Sequence, residues 1–469
     1  MKEILDATNN KTPPSINDDL DTWLAYLETI HTQSIDMGLQ RSFEVAKNLD
    51  LLKPAPLIIT VGGTNGKGTT CRSLELFFLE AGFKVGVYSS PHLLHYNERV
   101  RINGQELADI KHVDAFNYLE NNRGSLTLTY FEFGTLSALH LFKQAQLDIV
   151  ILEVGLGGRL DSCNIIDANV AVITSIDIDH IDWLGDDREA IAKEKAGIFR
   201  SNNPAVIGEP FVPETMIEEA KRLNTPLFEV GQSWHYTENA DYWHWHGPDF
   251  CLNNLPYPKV PLANAATAIA TLYISGFLNG GKDRITPEII RMALSKVSMP
   301  GRFQVVKTQT ITIVQEKDPT ETIKSLEIPQ VILDVAHNPH ASRYLTNQLV
   351  KLKKEISTQT HNCQIHLIIG MLQDKDIQNT LLPLTDVIDS WHCISLDGAR
   401  GASAYLLSDK LKSLPNLNSD EMVFTYNTMN IALEKVNSLL ATGDIIVICG
   451  SFYTVAEYLA LCPEPMQLD

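Results

Sequence analysis

The stretch Leu57-Ile58-Ile59-Thr60-Val61-Gly62-Gly63-Thr64-Asn65-Gly66-Lys67-Gly68-Thr69-Thr70 runs from a short apolar segment into a glycine-rich turn. Residues from about Lys67 to Ala81 then read as a helix closed by Gly82. Glycines let backbone N–H groups turn inward on phosphate oxygens, and the helix N-terminus adds a favourable partial charge. Lys67 supplies a mobile cation for the outer phosphates, and Thr69 or Thr70 can reach a magnesium ion. The spacing departs from G-x-x-x-x-G-K-[ST]: Val61 occupies the first glycine position and Gly68 intervenes before Thr69. A glycine turn without ligand is the competing reading, and the strand–loop–helix context favours the phosphate loop.

The segments on either side repeat the pattern. Lys84–Tyr88, Asp148–Leu152 and Val170–Ile173 are continuous apolar runs separated by helical segments. Such runs predict a mostly parallel sheet covered on both faces. Upstream, Leu20, Trp23, Leu24, Leu27 and Ile30 recur at a helical period. Residues 211–261, with Trp234, Tyr236, Trp243 and Trp245, break the rhythm and predict short antiparallel strands with loops. After Met299-Pro300-Gly301 the βα rhythm resumes, with strands expected at Val331–Leu333, His366–Ile369 and Ile445–Ile448. The Pro-Gly turn puts a domain boundary near residue 301. The expected fold is α/β, with a P-loop domain over 1–300 and a smaller Rossmann-like domain over 301–469. The polar first 17 residues, with Pro13-Pro14, read as a loose tail.

The 469 residues carry 38 Lys plus Arg against 57 Asp plus Glu, a formal charge of −19. This argues against a nucleic-acid or anionic-membrane binder, whose affinity would come from a basic surface. A local basic pocket for a small anion is compatible with it. Seven scattered cysteines, none in a C-x-x-C pair, read as reduced thiols. No apolar run approaches the roughly 18 residues of a membrane span, and Met1–Asp6 lacks the core of a signal peptide. The expectation is a soluble cytoplasmic protein.

Three further stretches carry chemistry. In Asp148–Asp161, Glu153 ends a buried strand, where a lone carboxylate is costly. A metal ion at the carboxyl edge of the sheet or a salt bridge to Arg159 would compensate it. Thr174–Gly185 follows the next strand and holds His180 among Asp177, Asp179 and Asp182, as a metal ligand or a satisfied loop histidine. Downstream, Arg188–Phe199 reads by itself as a solvated helix face. Val331–His340 ends a strand of the second domain with Asp334 and His337. A capped strand end is one reading, and a site completed when two domains close is the other.

Taken together these motifs resemble the Mur-ligase superfamily, and within it the folylpolyglutamate synthase family. The resemblance runs from Trp23 to about Val455 through Gly63–Thr70, Tyr88–Leu93, Leu152–Asp161, Asp179–Gly185, Lys193–Phe199, Pro300–Phe303, Leu333–Pro339 and Gly450–Val455. Ile35–Leu39 and Thr129–Phe133 resemble its bacterial bifunctional branch. Ser162-Cys163 departs from a more usual Ala-Thr before Asn164, at the lip of the implied pterin pocket.

The resemblance implies an ATP-dependent ligase of folate biosynthesis. ATP would phosphorylate the carboxylate of dihydropteroate, or the γ-carboxylate of a tetrahydrofolate, and L-glutamate would attack the acyl phosphate. It implies ATP contacts at Thr64, Asn65, Gly66, Lys67, Gly68, Thr69, Asn264, Arg302 and Asp334. Two magnesium ions would be held by Ser90, Glu153, His180 and Lys195, the last as a carbamate. Pterin contacts fall on Thr129, Tyr130, Phe131, Glu132, Leu160, Asp161 and Ser162, and His337 is implied at the phosphate or glutamate end. The implied partners are small molecules, with no nucleic acid, no membrane and a monomeric chain. Two alternatives remain: a sister ligase acting on cell-wall precursors, and a P-loop kinase or regulatory nucleotide-binding protein. The first lacks a use for Thr129–Phe133 and the second for Asp334–His337. A ligase, unlike a kinase, needs both carboxylate and glutamate for full turnover.

Overall fold

The computed structural model describes residues 12–33, 35–278, 285–307, 309–317, 320–357, 363–415, 417 and 422–462. Residues 1–11 of the expected tail lie outside them. The chain forms two compact units, Met1–Val297 and Ser298–Asp469.

The first unit opens with helices α1 (Leu20–Leu27) and α2 (Gln40–Asn48), then β1 (Leu57–Gly62), α3 (Lys67–Glu80) and β2 (Val85–Tyr88). A short antiparallel pair, β3 (Val100–Ile102) and β4 (Gln105–Glu106), leads to α4 (Asp109–Asn122), α5 (Tyr130–Ala145) and β5 (Ile149–Glu153). Next come β6 (Val170–Ile173), α6 (Ile181–Leu184), α7 (Arg188–Ala196), β7 (Ala205–Ile207), α8 (Glu214–Leu223) and β8 (Leu227–Glu229). These strands make one sheet of order β4-β3-β2-β5-β1-β6-β7-β8. It is parallel apart from β3 and β4. β1, β5 and β6 are buried along nearly their whole length, as strands covered on both faces must be. The register Val61↔Glu153 and Gly62↔Ile173 delivers the ends of all three central strands to one edge. In open parallel sheets that edge is where ligands bind.

The reading of residues 211–261 needs correction in its first half. Residues 214–223 form α8 and 227–229 extend the parallel sheet; only β9 (His235–Glu238), β10 (Trp243–His246) and β11 (Cys251–Leu255) are antiparallel. Trp243 and Trp245 are fully buried beneath that small sheet, and their alternation with His244 and His246 carries the period of two. Helices α9 (Leu262–Ile274) and α10 (Pro287–Lys296) finish the unit, both against α3.

The second unit contains β12 (Gln304–Val306), the hairpin β13 (Gln309–Lys317) and β14 (Thr320–Ile328), then β15 (Val331–Leu333) and α11 (Pro339–Ser357). It continues with β16 (Ile365–Ile369), α12 (Ile377–Leu381), β17 (Ser390–Ile394), α13 (Ala404–Lys412), β18 (Val423–Tyr426), α14 (Met429–Asn437), β19 (Ile445–Cys449) and α15 (Phe452–Ala460). Its sheet has the order β12-β15-β19-β16-β17-β18, parallel except for β12. Among the described residues no helix is long and apolar enough to cross a membrane.

Candidate active site

The glycine loop is held open by its neighbours. Gly63 adopts φ 146°, and a Cβ there would fall 1.9 Å from Thr174 Oγ1. Only glycine lets the backbone pass so close. Thr64 N–H donates to the Ser175 carbonyl at 2.8 Å, and Asn65 N–H to Ser175 Oγ at 3.0 Å. Thr64 Oγ1 donates to the Asp177 carbonyl at 2.9 Å, while Thr174 Oγ1 donates to the Asn65 carbonyl at 2.6 Å. The segment after β6 therefore braces the loop after β1. Lys67 folds back over it, its Nζ donating to the Gly63 and Thr64 carbonyls at 3.0 and 3.2 Å. Gly66 caps α3 in the left-handed region, and Gly68 and Thr69 are buried in the first turn. Asn264 of α9 reaches the same turn, with Nδ2 donating to Thr69 Oγ1 at 2.8 Å.

Glu153 is buried at the end of β5 and accepts from Ser90 N–H at 3.2 Å. The expected alternative partner is engaged elsewhere: Arg159 binds Glu194 through Nε and Nη2 at 3.0 and 2.9 Å. One pocket is lined by Gly63, Thr64, Lys67, Asp179, His180 and Lys195, together with residues 154–157. His180 enters it from the N-terminus of α6 at φ 54°. Lys195 corrects the reading of its helix as solvated. It is 3% exposed, and burial, then the Lys67 charge, lower its pKa to about 7. Helix α7 gets that close because residue 158 is glycine: a Cβ there would lie 2.7 Å from the Glu194 carbonyl oxygen and 3.0 Å from Lys195 Cα. Among the described residues no three His, Cys, Asp or Glu side chains form a metal cluster. The Glu153 carboxylate and Ser90 hydroxyl at this edge are hard oxygen donors. Magnesium takes one or two carboxylates and completes its shell with phosphate and water, so the residues fit it.

Asp161 is buried and accepts from the N–H groups of Gly155, Leu156 and Cys163 at 3.0, 2.9 and 2.9 Å. Burial raises its pKa while these bonds oppose the rise. It shapes the loop whose half-buried Leu160 and buried Ser162 follow. Thr129 and Glu132 form a capping box on α5: Glu132 N–H donates to Thr129 Oγ1 at 3.2 Å and Thr129 N–H to Glu132 Oε2 at 2.8 Å. The T-x-x-E spacing signalled this box, yet sequence reasoning gave the residues only a substrate role. Glu132 Oε1 also takes Ser42 Oγ and Arg41 Nη2, both at 3.1 Å, and Arg41 Nη1 pairs with Asp36 at 2.7 Å. Ser162 Oγ is 3.3 Å from Ser42 Oγ. Arg41 and Ser42 of α2 were missed because α2 offers no motif. Phe131 packs on Gly155, where a Cβ would meet its Cζ at 2.6 Å, and lies 5.9 Å from the Tyr88 ring. Tyr130 has the Arg99 guanidinium 5.5 Å from its ring centre.

In the second unit Asp334 leaves the end of β15, with Oδ2 accepting from Phe303 N–H and Oδ1 from Ala336 N–H, each at 2.8 Å. Burial raises its pKa, opposed chiefly by Arg302. Arg302 lies 5.1 Å from the Phe452 ring centre, and the His337 ring 6.1 Å from the same ring. His337 Nδ1 donates to the Val335 carbonyl at 2.8 Å. Arg302, Asp334 and His337 thus gather where β15 and β19 end.

A phosphate loop with a buried carboxylate and lysine beside it, followed by a second α/β unit, defines an ATP-dependent ligase of the Mur type. The Mur ligase middle domain matches residues 61–245, and the Mur ligase glutamate ligase domain matches 320–452. The dihydrofolate synthase/folylpolyglutamate synthase of Haemophilus influenzae is 49% identical over 442 residues, covering 94% of this chain and 96% of its own. The structure of E. coli FolC in complex with DHPP and ADP superposes with a TM-score of 0.83 at 46% identity, covering 95% of this chain and 98% of that one. The Yersinia pestis bifunctional folylpolyglutamate synthase/dihydrofolate synthase, complexed with AMPPNP and Mn ion, gives 0.83 at 48% identity, covering 96% and 99%. The chain belongs to the dihydrofolate synthase/folylpolyglutamate synthase family, and it is an ATP-dependent ligase that attaches glutamate in folate metabolism.

Proposed function

We propose that one pterin pocket serves both glutamate additions, the first to dihydropteroate and later ones to the γ-carboxylate of tetrahydrofolates. The observation that supports this reading best is the meeting of the two implied pterin stretches at Ser42, whose Oγ donates to Glu132 Oε1 at 3.1 Å and lies 3.3 Å from Ser162 Oγ. A carboxylate and an amine do not condense in water. Transfer of the γ-phosphoryl group to the carboxylate turns its oxygen into a phosphate leaving group, and the glutamate amine then displaces it. Loop N–H groups from Gly66 to Thr69 and the Lys67 ammonium, released from its two carbonyls, bind the ATP phosphates and stabilise the charge of transfer, while Thr64 and Asn65 keep the loop braced on Ser175. Asn264, Arg302 and Asp334 bind the nucleotide, and His337 acts at the phosphate or glutamate end. Thr129–Glu132 and Leu160–Ser162 border the pterin. Ser90, Glu153, His180 and a carbamate of Lys195 would hold two magnesium ions, which supply charge neutralisation when bound. The domains divide this work at about residue 301, and the protein acts as a cytoplasmic monomer.

Phosphate release tests the reading. Dihydropteroate and tetrahydrofolate should each drive it only when L-glutamate is present, and each should compete with the other. Simultaneous, non-competing turnover would disprove a shared pocket. Phosphate release that ignores glutamate would mean that the phosphoryl group is lost to water rather than displaced by the amine, and would overturn the proposed sequence of steps. A light-scattering mass above one chain would remove the monomer.

A further inference from the structure

Arg99 is a half-buried cation in an aromatic setting. Among the described residues its guanidinium has no carboxylate at ion-pair distance; its Nε donates to His92 Nδ1 at 2.8 Å. A ring nitrogen that accepts in this way leaves the imidazole proton on Nε2, so His92 brings no opposite charge. The adjacent acid, Glu98, is spent on the N–H groups of Leu93, Leu94 and His95 at 2.6, 2.6 and 2.8 Å. Arg101, two residues on, shows the ordinary arrangement, paired with Glu75 at 3.1 Å. Around Arg99 the packing is aromatic instead, with the Tyr96 and Tyr130 ring centres 5.7 and 5.5 Å away. Rings hold a guanidinium in place while leaving its in-plane N–H groups for an anion.

The position of Arg99 says which anion. Its carbonyl accepts from Ser89 N–H at 2.9 Å, beside Ser90, and its guanidinium lies over Tyr130 of the Thr129–Glu132 stretch. The inference rests on the shared pterin pocket proposed above. Two substrates of that pocket differ in one charge. Tetrahydrofolate carries an α-carboxylate on the glutamate whose γ-carboxylate is activated, whereas dihydropteroate ends in a single benzoate carboxylate. We propose that Arg99 binds that α-carboxylate, and so serves the extension of folates but not the first glutamate addition. A planar fork of N–H donors matches a carboxylate in two parallel bonds.

Initial rates are measured for the wild type, Arg99→Met and Arg99→Lys, varying dihydropteroate, tetrahydrofolate and L-glutamate in turn. Met keeps the stem against the rings and removes the fork. Arg99→Met should raise KM for tetrahydrofolate by roughly tenfold to a hundredfold, with kcat and the KM values for dihydropteroate and L-glutamate within about threefold. Arg99→Lys should recover part of the loss. In equilibrium binding, wild-type protein should prefer tetrahydrofolate over tetrahydropteroate, which lacks the glutamate, and Arg99→Met should erase the preference. Equal damage to both pterin substrates would overturn the proposal in favour of a structural role. A raised KM for L-glutamate would overturn it by assigning Arg99 to the incoming amino acid. If thermal melts show that Arg99→Met does not fold, Arg99→Lys decides on the same readouts. Failure of the shared pocket itself would appear in the wild type alone, as absence of competition between the two pterins, and would withdraw the basis of the proposal.

Discussion

Asn264 donates from Nδ2 to Thr69 Oγ1 at 2.8 Å, joining the phosphate-loop helix to α9 across 195 positions of sequence. The same amide lies over Gly66, where a Cβ would fall 2.4 Å from Asn264 Oδ1. The loop and Asn264 are therefore fitted to each other. Gly66→Ala should destabilise by about 1–2 kcal/mol, because alanine resists the left-handed region, and should raise KM for ATP. Asn264→Ala removes the collision but not the strain. The double variant should then lose less stability than the two singles summed, as measured by urea unfolding. Strict additivity would separate the two residues.

Lys67→Ala should leave the fold intact and abolish ligation. Among the described residues Lys67 Nζ bonds two carbonyls of its own loop, so its loss should move the melting temperature little. In transfer, loss of its charge should cost on the order of 3 kcal/mol or more in the barrier, a hundredfold or greater fall in kcat. Near-normal turnover would remove the phosphate-loop assignment.

The glycine loop was readable because a single local run holds strand, turn and helix. The edge at Glu153 was readable for a similar reason: a carboxylate ending an apolar strand is out of place unless something compensates it. What supports these residues was hidden. Ser175 and Asp177, which brace the loop, follow a strand distant in sequence, and their partners are mostly backbone groups that carry no residue signature. Lys195 read as surface because Arg188–Ala196 is rich in charge; the close approach allowed by Gly158 is a tertiary fact. Residues 214–229 were misread because a three-residue edge strand is too short to show a period.

Glu132→Ala should prove a fold variant before it proves a pocket variant. It removes the reciprocal half of the capping box, the partner of Ser42 and one of the two acids on Arg41. Breaking a buried pair and a cap together should cost about 2–4 kcal/mol. Glu132→Gln keeps an acceptor for Thr129 N–H and should retain most of that stability. If Glu132→Ala melts with the wild type yet loses dihydrofolate synthesis, the carboxylate belongs to the substrate and not to the helix.

Acid should destabilise the protein through buried imidazoles. Burial lowers the His112 pKa to about 4, and burial followed by His366 lowers that of His392 to about 3, from 6.5. The unfolded chain protonates both near 6.5 and the native state does not. Their contribution is whole above that pH and declines as the pH falls toward 4, by up to about 1.4 kcal/mol per pH unit for each group. Neither nitrogen of His112 has a hydrogen-bond partner among the described residues. His112→Leu should thus be close to neutral in stability at pH 7.5 and shallower in its acid limb. An unchanged limb in urea titrations from pH 7 to 4.5 would show that His112 is protonated in the fold.

Lys195 links the buried charge of the site to its proposed metal chemistry. A protonated Lys195 facing Lys67 would repel magnesium, but burial and that neighbour bring its pKa to about 7, so about half the amines are neutral at that pH. A neutral amine can form a C–N bond to carbon dioxide and release a proton, giving a carbamate with two oxygens suited to magnesium. Activity should therefore rise with added bicarbonate. Lys195→Ala should lose it, and short carboxylic acids should partly restore it by replacing the missing oxygens. Without carbamate, stability has its own pH signature. Between about 7 and the ordinary lysine value of 10.5 the unfolded chain holds a proton that the native state has released. The penalty of burying Lys195 is thus complete below 7 and shrinks as the pH rises through that window, and Lys195→Met should flatten the rise. The carbamate is tested by intact mass under bicarbonate and by high-resolution density. A bare amine in both, on a residue whose replacement leaves turnover unchanged, would rule it out.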